Sequence, residues 1–524
     1  MSRRAELILI VLLGAYLAAA ACRNVAGFPG LHGDEAWLGK YALQIKTSGI
    51  FSPHEMNTYT GPLYGWLLAQ VFKIFPAGML SLRLPGLALN LLAAFLMAWH
   101  LGRRCGRHSA LVWLALLCSS ALFVMKSRVA WEAYALQPLL LTVIVMLAER
   151  CIAREDYSFA VVVAFLAANL CGVLNHFIFL SVPLSLFVAA FAHLLFLRDF
   201  RRLPFLQLAA VNLIMAAAVC IIKPAISPAA WERHGGLLGV LALGWPAACA
   251  ALYCLAAGPT AGRIRDCFAA DGPLRERLSR ALLTVLALGL ALFFVYHWIA
   301  LMQIWSGVAV FQRLASWTPP YWITLPLYAW AAALLGIFFA YALGRLRPAA
   351  AAGWPPYERF LVHWPLVYAA TFILLRNTNS IRYYVIPSFL LTMSLAYILP
   401  RTGTFRKVRV LVPMLAAAVL FNICFWRETA SPPYRRPIRF YVGWHLENSI
   451  HFADNSSLAR IMQAERICEV TPRDSFTHGP LFFLCGPHNH DCDPTKILFI
   501  NYCWECDRPP YFRWEVRRVE RTGR

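Results

Sequence analysis

The chain has 524 residues, of which 60% are hydrophobic and only 14% are charged. Because soluble globular domains carry about a quarter charged residues, this composition excludes an ordinary soluble enzyme and predicts an integral membrane protein. The formal net charge of +22 does not indicate nucleic-acid binding, since the basic residues stand in short clusters between apolar runs, as in the cytoplasmic loops of membrane proteins.

The first apolar run follows Arg3 and Arg4 and covers residues 6–22. A cleaved signal peptide has a basic start and an apolar stretch of the same kind. Because many further apolar runs follow, we expect an uncleaved first membrane helix.

Apolar runs long enough to cross a bilayer recur along the chain, and about thirteen of them predict an all-α polytopic membrane protein. The predicted spans lie near residues 6–22, 80–101, 109–126, 133–148, 158–174, 177–197, 203–222, 237–257, 281–303, 322–343, 360–375, 382–399 and 409–426. The run 61–75 is shorter and more interrupted, so we interpret it as an interfacial helix in the first outer loop, residues 23–79.

The basic clusters predict the orientation. With the N-terminus in the cytoplasm, all of them fall on one side of the membrane, as the positive-inside rule requires. They are residues 103–107, 198–202, 263–265, 275–280, 345–347 and 406–409. The same orientation places the first outer loop, Arg128, Glu132, His176 and residues 376–384 together on the outer face.

The last part of the chain, residues 427–524, differs in composition from residues 1–426 and is predicted to form a small domain outside the cytoplasm. Its cysteines are Cys468, Cys485, Cys492, Cys503 and Cys506. Cysteines outside the cytoplasm usually form disulfides, so we expect at least one. The alternative is zinc binding together with His488 and His490, although the spacing matches no standard zinc finger.

Two adjacent carboxylates, Asp34 and Glu35, follow the first span in the stretch HGDEAW. One interpretation is a helix N-terminus, where Asp is a favoured N-cap and acidic side chains suit the helix dipole. The other is a catalytic base at the membrane surface.

Four further stretches follow in order: TGPLYGWLL (60–68), SLRLPGLALN (81–90), SRVAWEAYAL (127–136) and RYYVIP (382–387). Together with HGDEAW they resemble the GT-C glycosyltransferases, in particular the branch of the protein O-mannosyltransferases and the lipid A aminoarabinose transferases. The resemblance covers about residues 1–400. It implies a GT-C fold in the bacterial inner membrane, with the cysteine-rich tail in the periplasm. The implied reaction is an inverting transfer of a sugar from a polyprenyl-phosphate donor to a glycolipid, glycan or protein hydroxyl.

The resemblance also implies roles for three acidic residues. Asp34 is the expected general base, which takes the proton of the acceptor. Glu35 assists Asp34, binds a divalent cation such as Mg²⁺ or Mn²⁺ together with it, or is solvated. Glu132 orients the acceptor or the carboxylates of the first loop, or forms a local ion pair with Arg128 one helical turn away.

Three further residues are expected at the lipid phosphate. Arg382 is the expected phosphate ligand, because a guanidinium pairs with phosphate bidentately, and the alternative is an arginine that snorkels at a helix end. Tyr383 either donates a hydrogen bond to the same phosphate or packs against neighbouring side chains. His176 contacts phosphate or a sugar hydroxyl, or is a satisfied interfacial histidine. Related proteins often have Lys at the position of His176 and Asp at that of Glu132, so the chain departs from the pattern at both places.

Two other functions stay open at this stage. A transporter or flippase for a lipid-linked sugar would bind its substrate near the bilayer midplane, usually between matching halves of the chain. Here the polar and ionisable residues that could do chemistry gather at the outer face and the sequence shows no matching halves, so we favour the transferase. The second alternative is a non-catalytic scaffold that binds partners through its tail.

Overall fold

The computed structural model describes most of the chain, and its membrane part is built of α-helices. The described residues are 3–26, 31–49, 60–197, 202–225, 244–255, 257, 273–306, 321–345, 354–372, 381–402, 440–442, 445–447, 455–471, 481, 483–484, 492–502 and 512–518.

Helices account for most of the described chain up to residue 402. They are α1 Arg3–Cys22, α2 Gly33–Ser48, α3 Leu63–Ile74, α4 Met79–Arg104, α5 Arg107–Ser119, α6 Ala121–Lys126, α7 Glu132–Arg154, α8 Phe159–Asn175, α9 Ser181–Leu197, α10 Leu203–Ala225, α11 Gly244–Leu255, α12 Pro273–Ser306, α13 Tyr321–Gly344, α14 Pro356–Phe372 and α15 Val385–Ile398. Short 3-10 helices, Phe177–Leu180 and Ile381–Tyr384, precede α9 and α15.

Among the described residues, seven helical stretches are long and apolar enough to cross a membrane, so the protein is a multi-pass membrane protein. They correspond to α1, α4, α7, α9 with its preceding 3-10 helix, α10, α12 and α13. Each of the first twelve predicted spans overlaps a described helix. The thirteenth, residues 409–426, lies outside the described residues, so the total of thirteen stays a prediction. The predicted interfacial helix is α3.

The predicted span 109–126 is not one continuous helix, because Ser120 interrupts it. The Ser120 hydroxyl donates to the Ile304 carbonyl oxygen on α12 at 2.7 Å and accepts the backbone N–H of Phe123 at 3.1 Å. Serine competes with the helix for backbone groups in this way and favours helix starts. Helix α5 therefore ends at Ser119, and α6 begins at Ala121.

Helices α4 and α7 pack against each other, and a proline explains one polar contact between them. Pro138 in α7 has no N–H, so the carbonyl oxygen of Tyr134, four residues earlier, has no helical partner. Asn90 of α4 supplies the missing donor, since its Nδ2 lies 2.8 Å from the Tyr134 oxygen and 2.8 Å from the Gly86 oxygen. A proline in a membrane helix is tolerated when a neighbouring helix satisfies the freed carbonyl in this way.

Ion pairs mark one end of the helical bundle, where α1 and α5 begin. There Glu149 pairs with Arg104 at 2.5 Å and with Arg154 at 3.3 Å, and His108 approaches Glu6 at 3.2 Å. We call this the basic end. At the opposite end, the site end, α1 finishes and α4 and α7 begin.

Helices α2 and α3 form a layer over the site end, with its own apolar core of Leu38, Tyr41, Leu68 and Phe72. One residue of the tail, Phe483, packs into the same core and is 5% exposed. Its ring fits against Gly39 of α2, where a Cβ atom would lie 2.3 Å from the Phe483 ring. The tail is therefore anchored on the layer that carries the two acidic residues.

The described tail contains a small α/β unit. Its elements are β1 Phe440–Val442, β2 His445–Glu447, α16 Asn455–Ala464, β3 Ile467–Thr471, β4 Asp493–Tyr502 and β5 Phe512–Arg518. The strands β1 and β2 pair antiparallel, while β3, β4 and β5 form a sheet in that order, with β3 parallel and β5 antiparallel to β4.

A disulfide between Cys468 and Cys492 links the start of β3 to the start of β4. The expectation of at least one disulfide in the tail is therefore confirmed. Three further cysteines and two histidines of this region, Cys485, His488, His490, Cys503 and Cys506, lie outside the described residues. The predicted domain boundary between residues 426 and 427 also lies outside them.

Candidate active site

The first site element is the N-terminus of α2, which His32 caps. His32 Nδ1 accepts the backbone N–H of Asp34 at 3.0 Å, and the backbone N–H of His32 donates to Glu35 Oε2 at 3.1 Å. These reciprocal bonds form a capping box and satisfy donors that the helix itself leaves free. The interpretation of this stretch as a helix N-terminus is therefore correct, since Asp34 and Glu35 lie in the first turn of α2, but the N-cap is His32 and not Asp34.

Glu35 is completely buried and binds four donors from three parts of the chain. Arg83 of α4 forms a bidentate pair with it, with Nε 2.9 Å from Oε1 and Nη2 2.7 Å from Oε2. The backbone N–H of Ala130, just before α7, donates to Oε1 at 2.8 Å, and His32 completes the set. We call this arrangement the Glu35 clamp. It fixes the start of α2 against α4 and α7.

The clamp decides which of the two acidic residues can meet a substrate. A carboxylate has about four acceptor sites, and four donors occupy those of Glu35. The interpretation of Glu35 as a solvated side chain is therefore wrong. A cation at Glu35 would have to displace the guanidinium of Arg83, whose charge also repels it. The third donor of Arg83, Nη1, is bonded to the Val25 carbonyl oxygen at 3.0 Å.

Asp34 is the accessible member of the pair. Its side chain is 18% exposed, and the clamp holds the helix turn on which it lies. His32 Nδ1 approaches Asp34 Oδ2 at 3.8 Å, but this contact is not a salt bridge. Since Nδ1 accepts the Asp34 N–H, the proton of a neutral His32 is on Nε2. The carboxylate of Asp34 is therefore held in position without being neutralised by the imidazole.

Buried aromatic rings lie behind Asp34. The His32 ring packs edge-on against Trp131, with 4.6 Å between ring centroids, and Trp131 packs against Tyr134 at 4.8 Å. Trp131 is also the N-cap of α7. The same residue thus positions the cap of α2 and the start of α7, where the third acidic residue lies.

Glu132 is the first residue of α7 and contacts two other segments. Its Oε1 accepts the Thr60 hydroxyl at 3.2 Å and lies 3.9 Å from His176 Nε2, while its backbone oxygen accepts Asn175 Nδ2 at 2.7 Å. Its side chain is 11% exposed. Glu132 therefore joins the segment before α3 to the end of α8.

Gly61 permits the close approach of these two segments. Thr60 and His176 form an antiparallel bridge, and the Gly61 N–H donates to the Asn175 carbonyl oxygen at 2.9 Å. A Cβ atom on Gly61 would lie 1.4 Å from the Leu174 oxygen. Only glycine fits here, because any side chain would collide with backbone that cannot move aside.

His176 and Tyr383 meet at the same place. His176 is buried, its Nδ1 accepts the Ile178 N–H at 3.1 Å, and its ring lies 6.0 Å from the ring of Tyr383. The neutral tautomer therefore carries its proton on Nε2, which faces Glu132. The structure brings together the predicted residues Glu132, His176 and Tyr383, and places the backbone of Arg382 beside them in the 3-10 helix Ile381–Tyr384. The side chain of Arg382 lies outside the described part.

Tyr64 of α3 adds a buried hydroxyl close to the two glutamates. Burial, and then the negative charge of Glu35, raise the pKa of Tyr64 far above its ordinary value. The phenol therefore stays protonated and cannot serve as a base. Its oxygen lies against Gly86, where a Cβ atom would be 2.7 Å away.

No group of three or more His, Cys, Asp or Glu side chains suited to a metal ion occurs among the described residues. Asp34 and Glu35 do not converge on a common point for a cation, because the oxygens of Glu35 face Arg83, Ala130 and His32. The ligand set predicted for Mg²⁺ or Mn²⁺ is therefore not preformed by this pair.

Comparison with known proteins identifies the architecture. An oligosaccharyltransferase of Archaeoglobus fulgidus, solved in complex with Zn and sulfate, matches 93% of this chain with a TM-score of 0.51 and 16% identity. The same archaeal enzyme, AglB, in complex with an inhibitory peptide and a dolichol-phosphate, matches 91% of the chain with a TM-score of 0.51 and 15% identity. The protein has a GT-C fold. The chain spans 58% of the length of the first of these structures, so the likeness concerns the fold and not the whole enzyme.

A third GT-C structure is similar over most of both chains. ArnT from Cupriavidus metallidurans bound to undecaprenyl phosphate covers 95% of this chain and 93% of its own, with a TM-score of 0.40 and 13% identity. No protein-family profile and no curated protein sequence matches the chain.

Within this GT-C fold, sequence reasoning missed three residues that organise the site: His32, Thr60 and Asn175. The spacing of His32 and Glu35, three residues apart before a helix, is that of a capping box, although histidine is not a typical cap. Thr60 and Asn175 lie about 40 to 70 residues from Glu132, the residue of α7 that they contact. No local sequence pattern predicts these contacts.

Proposed function

We propose that the protein is an inverting glycosyltransferase that moves a sugar from a polyprenyl-phosphate donor to a glycolipid, glycan or protein hydroxyl. The observation that carries the proposal is the different environment of two adjacent carboxylates at the site end of a GT-C fold. Glu35 is locked by four donors, and Asp34 beside it is partly exposed on an immobilised turn. A rigidly held, accessible carboxylate is what a general base requires.

Asp34 acts in a single displacement. The acceptor hydroxyl gives its proton to Asp34 as its oxygen forms a bond to the anomeric carbon of the sugar. The bond from that carbon to the phosphate oxygen breaks, and its electron pair leaves with the polyprenyl phosphate. Because attack and departure occur on opposite faces of the sugar, the anomeric configuration inverts.

The remaining predicted residues take supporting roles in this proposal. Glu132, held by Thr60 and facing His176 Nε2, orients the acceptor. Arg382 binds the departing phosphate, as a planar guanidinium does well, and Tyr383 donates to the same group. The Nε2 proton of His176 points towards Glu132. In this proposal His176 therefore helps to position the acceptor and does not bind the phosphate.

The proposed location is the bacterial inner membrane, with the N-terminus in the cytoplasm and the tail in the periplasm. Two observations support it. Basic side chains such as Arg104 and Arg154 gather at the end of the bundle where α1 begins, as the positive-inside rule expects on the cytoplasmic side. The disulfide Cys468–Cys492 suits an oxidising compartment.

The test is release of polyprenyl phosphate by the purified protein in lipid nanodiscs. A panel of polyprenyl-phosphate sugars is mixed with an acceptor-containing envelope extract, and both products are followed by mass spectrometry. A transferase releases polyprenyl phosphate and glycosylates an acceptor with inverted configuration. A flippase leaves the donor intact and moves it between leaflets, and a scaffold does neither, so either result would reject the proposal.

A further inference from the structure

A second polar site lies inside the helical bundle, on the far side of the aromatic rings from Asp34. It is a cavity enclosed by segments of α4, α5, α6, α7, α12 and α15. Its polar lining residues are Asn90, Ser120, Lys126, Ser127, Tyr134, Ser388 and Thr392. Its remaining wall is apolar and includes Leu122, Phe123 and Phe389.

Lys126 supplies the charge of this cavity. Its side chain is only 8% exposed, its Nζ donates to the Tyr134 hydroxyl, and it lies 4.0 Å from the centroid of the Tyr134 ring. Among the described residues that line the cavity, none is acidic. A buried cation surrounded by hydroxyl and amide groups creates a positive potential that favours an anion.

The cavity has the size of a small anion. Its volume is about 40 Å³, which is room for about three waters or for the terminal oxygens of one phosphoryl group. A sugar ring does not fit. The apolar part of the wall, with Phe123 and Phe389, suits the first isoprene unit of a lipid attached to that phosphoryl group.

A continuous series of contacts joins the cavity to the proposed base. Asp34 is bonded to His32, whose ring packs on Trp131, which packs on Tyr134, which in turn binds Lys126. The cavity and Asp34 therefore flank the same buried aromatic layer.

The cavity also adjoins the segment that carries Arg382. Val385 and Ser388, in the first turn of α15, line it, and the 3-10 helix Ile381–Tyr384 leads directly into that turn. The N-terminal end of an α-helix contributes a partial positive charge. Two positive contributions thus come from the chain around one small volume: Lys126 and the start of α15.

We propose that the Lys126 cavity binds the phosphate of the lipid carrier through the Lys126 ammonium. This inference rests on the proposed function and deepens it, since it assigns the phosphate to a lysine that the sequence motifs did not single out. The Lys126 ammonium and the Tyr134 hydroxyl that it contacts face the phosphoryl oxygens, and the prenyl chain leaves past Phe123.

Equilibrium binding tests the inference without requiring turnover. Native mass spectrometry measures the affinity of the detergent-solubilised full chain for undecaprenyl phosphate, for undecaprenol and for inorganic phosphate. Lys126→Met is expected to weaken undecaprenyl phosphate binding at least about tenfold and to leave undecaprenol binding unchanged, because only a charge-assisted contact is lost. Lys126→Arg keeps the charge and retains binding within about threefold. The matched control is Lys46→Met, since Lys46 lies on α2, does not line the cavity and donates to the Phe72 carbonyl oxygen.

Phosphorus-31 NMR of the lipid bound to the wild-type protein is a second measurement that needs no variant. A nearby ammonium lowers the second pKa of a phosphate monoester, so the bound lipid should titrate at lower pH than the free lipid in micelles. Equal titration of bound and free lipid overturns the inference, as does unchanged affinity in Lys126→Met; either result leaves the proposed function standing. Wild-type protein that binds no undecaprenyl phosphate overturns both. Tight binding of inorganic phosphate with no preference for the lipid form also overturns the inference.

Discussion

The Glu35 clamp offers the sharpest test of how the site is held. Replacing Glu35 by Gln keeps the size of the side chain but removes its charge, so the fully buried Arg83 guanidinium loses its counter-ion. Replacing Arg83 by Met instead leaves the carboxylate with only two backbone donors, those of Ala130 and His32. In both variants one charge stays buried without its partner.

The expected cost follows from those contacts. Breaking a buried ion pair by removing one partner costs about 3–5 kcal/mol, and both side chains here are fully buried and joined bidentately. The double variant Glu35→Gln with Arg83→Met leaves no uncompensated charge, so its cost should fall below the sum of the two single costs by about 1–3 kcal/mol. The clamp holds the turn of Asp34, so transferase activity should fall in the single variants although neither residue touches the substrate.

The assay is denaturant titration of the three variants in detergent, with the free energy of unfolding taken from the linear extrapolation. Stability is compared with transferase activity for each protein. Single variants as stable as the wild type would refute the clamp. So would strictly additive costs, because they would mean that Glu35 and Arg83 do not interact.

Two further predictions concern the segments around the site. Gly61→Ala should destabilise the protein by about 3 kcal/mol and abolish activity, because its Cβ meets the Leu174 oxygen, whereas Gly78→Ala, with open space around it, should change stability by less than about 0.5 kcal/mol in the same unfolding titration. A membrane-impermeant thiol reagent should label Cys468 and Cys492 in intact spheroplasts only after reduction by a reductant that also cannot cross the membrane; labelling that needs permeabilised cells would reverse the proposed orientation.

The helices of the bundle were predictable because a helix that crosses a lipid bilayer needs a long run of apolar residues. Spans such as 133–148 and 203–222 could be predicted from their own residues, without knowing which helices they pack against. The break at Ser120 was not predictable, because it depends on a hydrogen bond to Ile304, which is 184 residues away. The topology of the tail sheet could not be predicted either, since the pairing of its strands is non-local, as between Ile467 of β3 and Asp493 of β4.

The candidate site was predictable in its parts but not in its arrangement. The sequence pointed to Asp34, Glu35 and Glu132, because they lie in stretches that resemble the GT-C glycosyltransferases. It could not show which of two adjacent acidic residues is buried. Adjacent helical residues face different directions, and the buried direction is set by Arg83, which is 48 residues from Glu35.

Lys126 and Asn90 had a signal that sequence reasoning did not use. Polar and ionisable residues within or at the ends of apolar membrane runs are costly and therefore mark functional or structural contacts. Lys126 ends such a run, and Asn90 interrupts another. Their partners, the hydroxyl and the carbonyl of Tyr134, became visible only with the packing of α4, α6 and α7.

The central claim is that Asp34 removes the acceptor proton, and single-turnover sugar transfer by Asp34→Asn tests it most directly. Asp156→Asn, which affects an exposed ion pair with Arg150 at the basic end, is the matched control. The account predicts that Asp34→Asn binds the donor as the wild type does but transfers the sugar at least about 100-fold more slowly, while Asp156→Asn stays near the wild-type rate. Transfer by a correctly folded Asp34→Asn variant at the wild-type rate would contradict it.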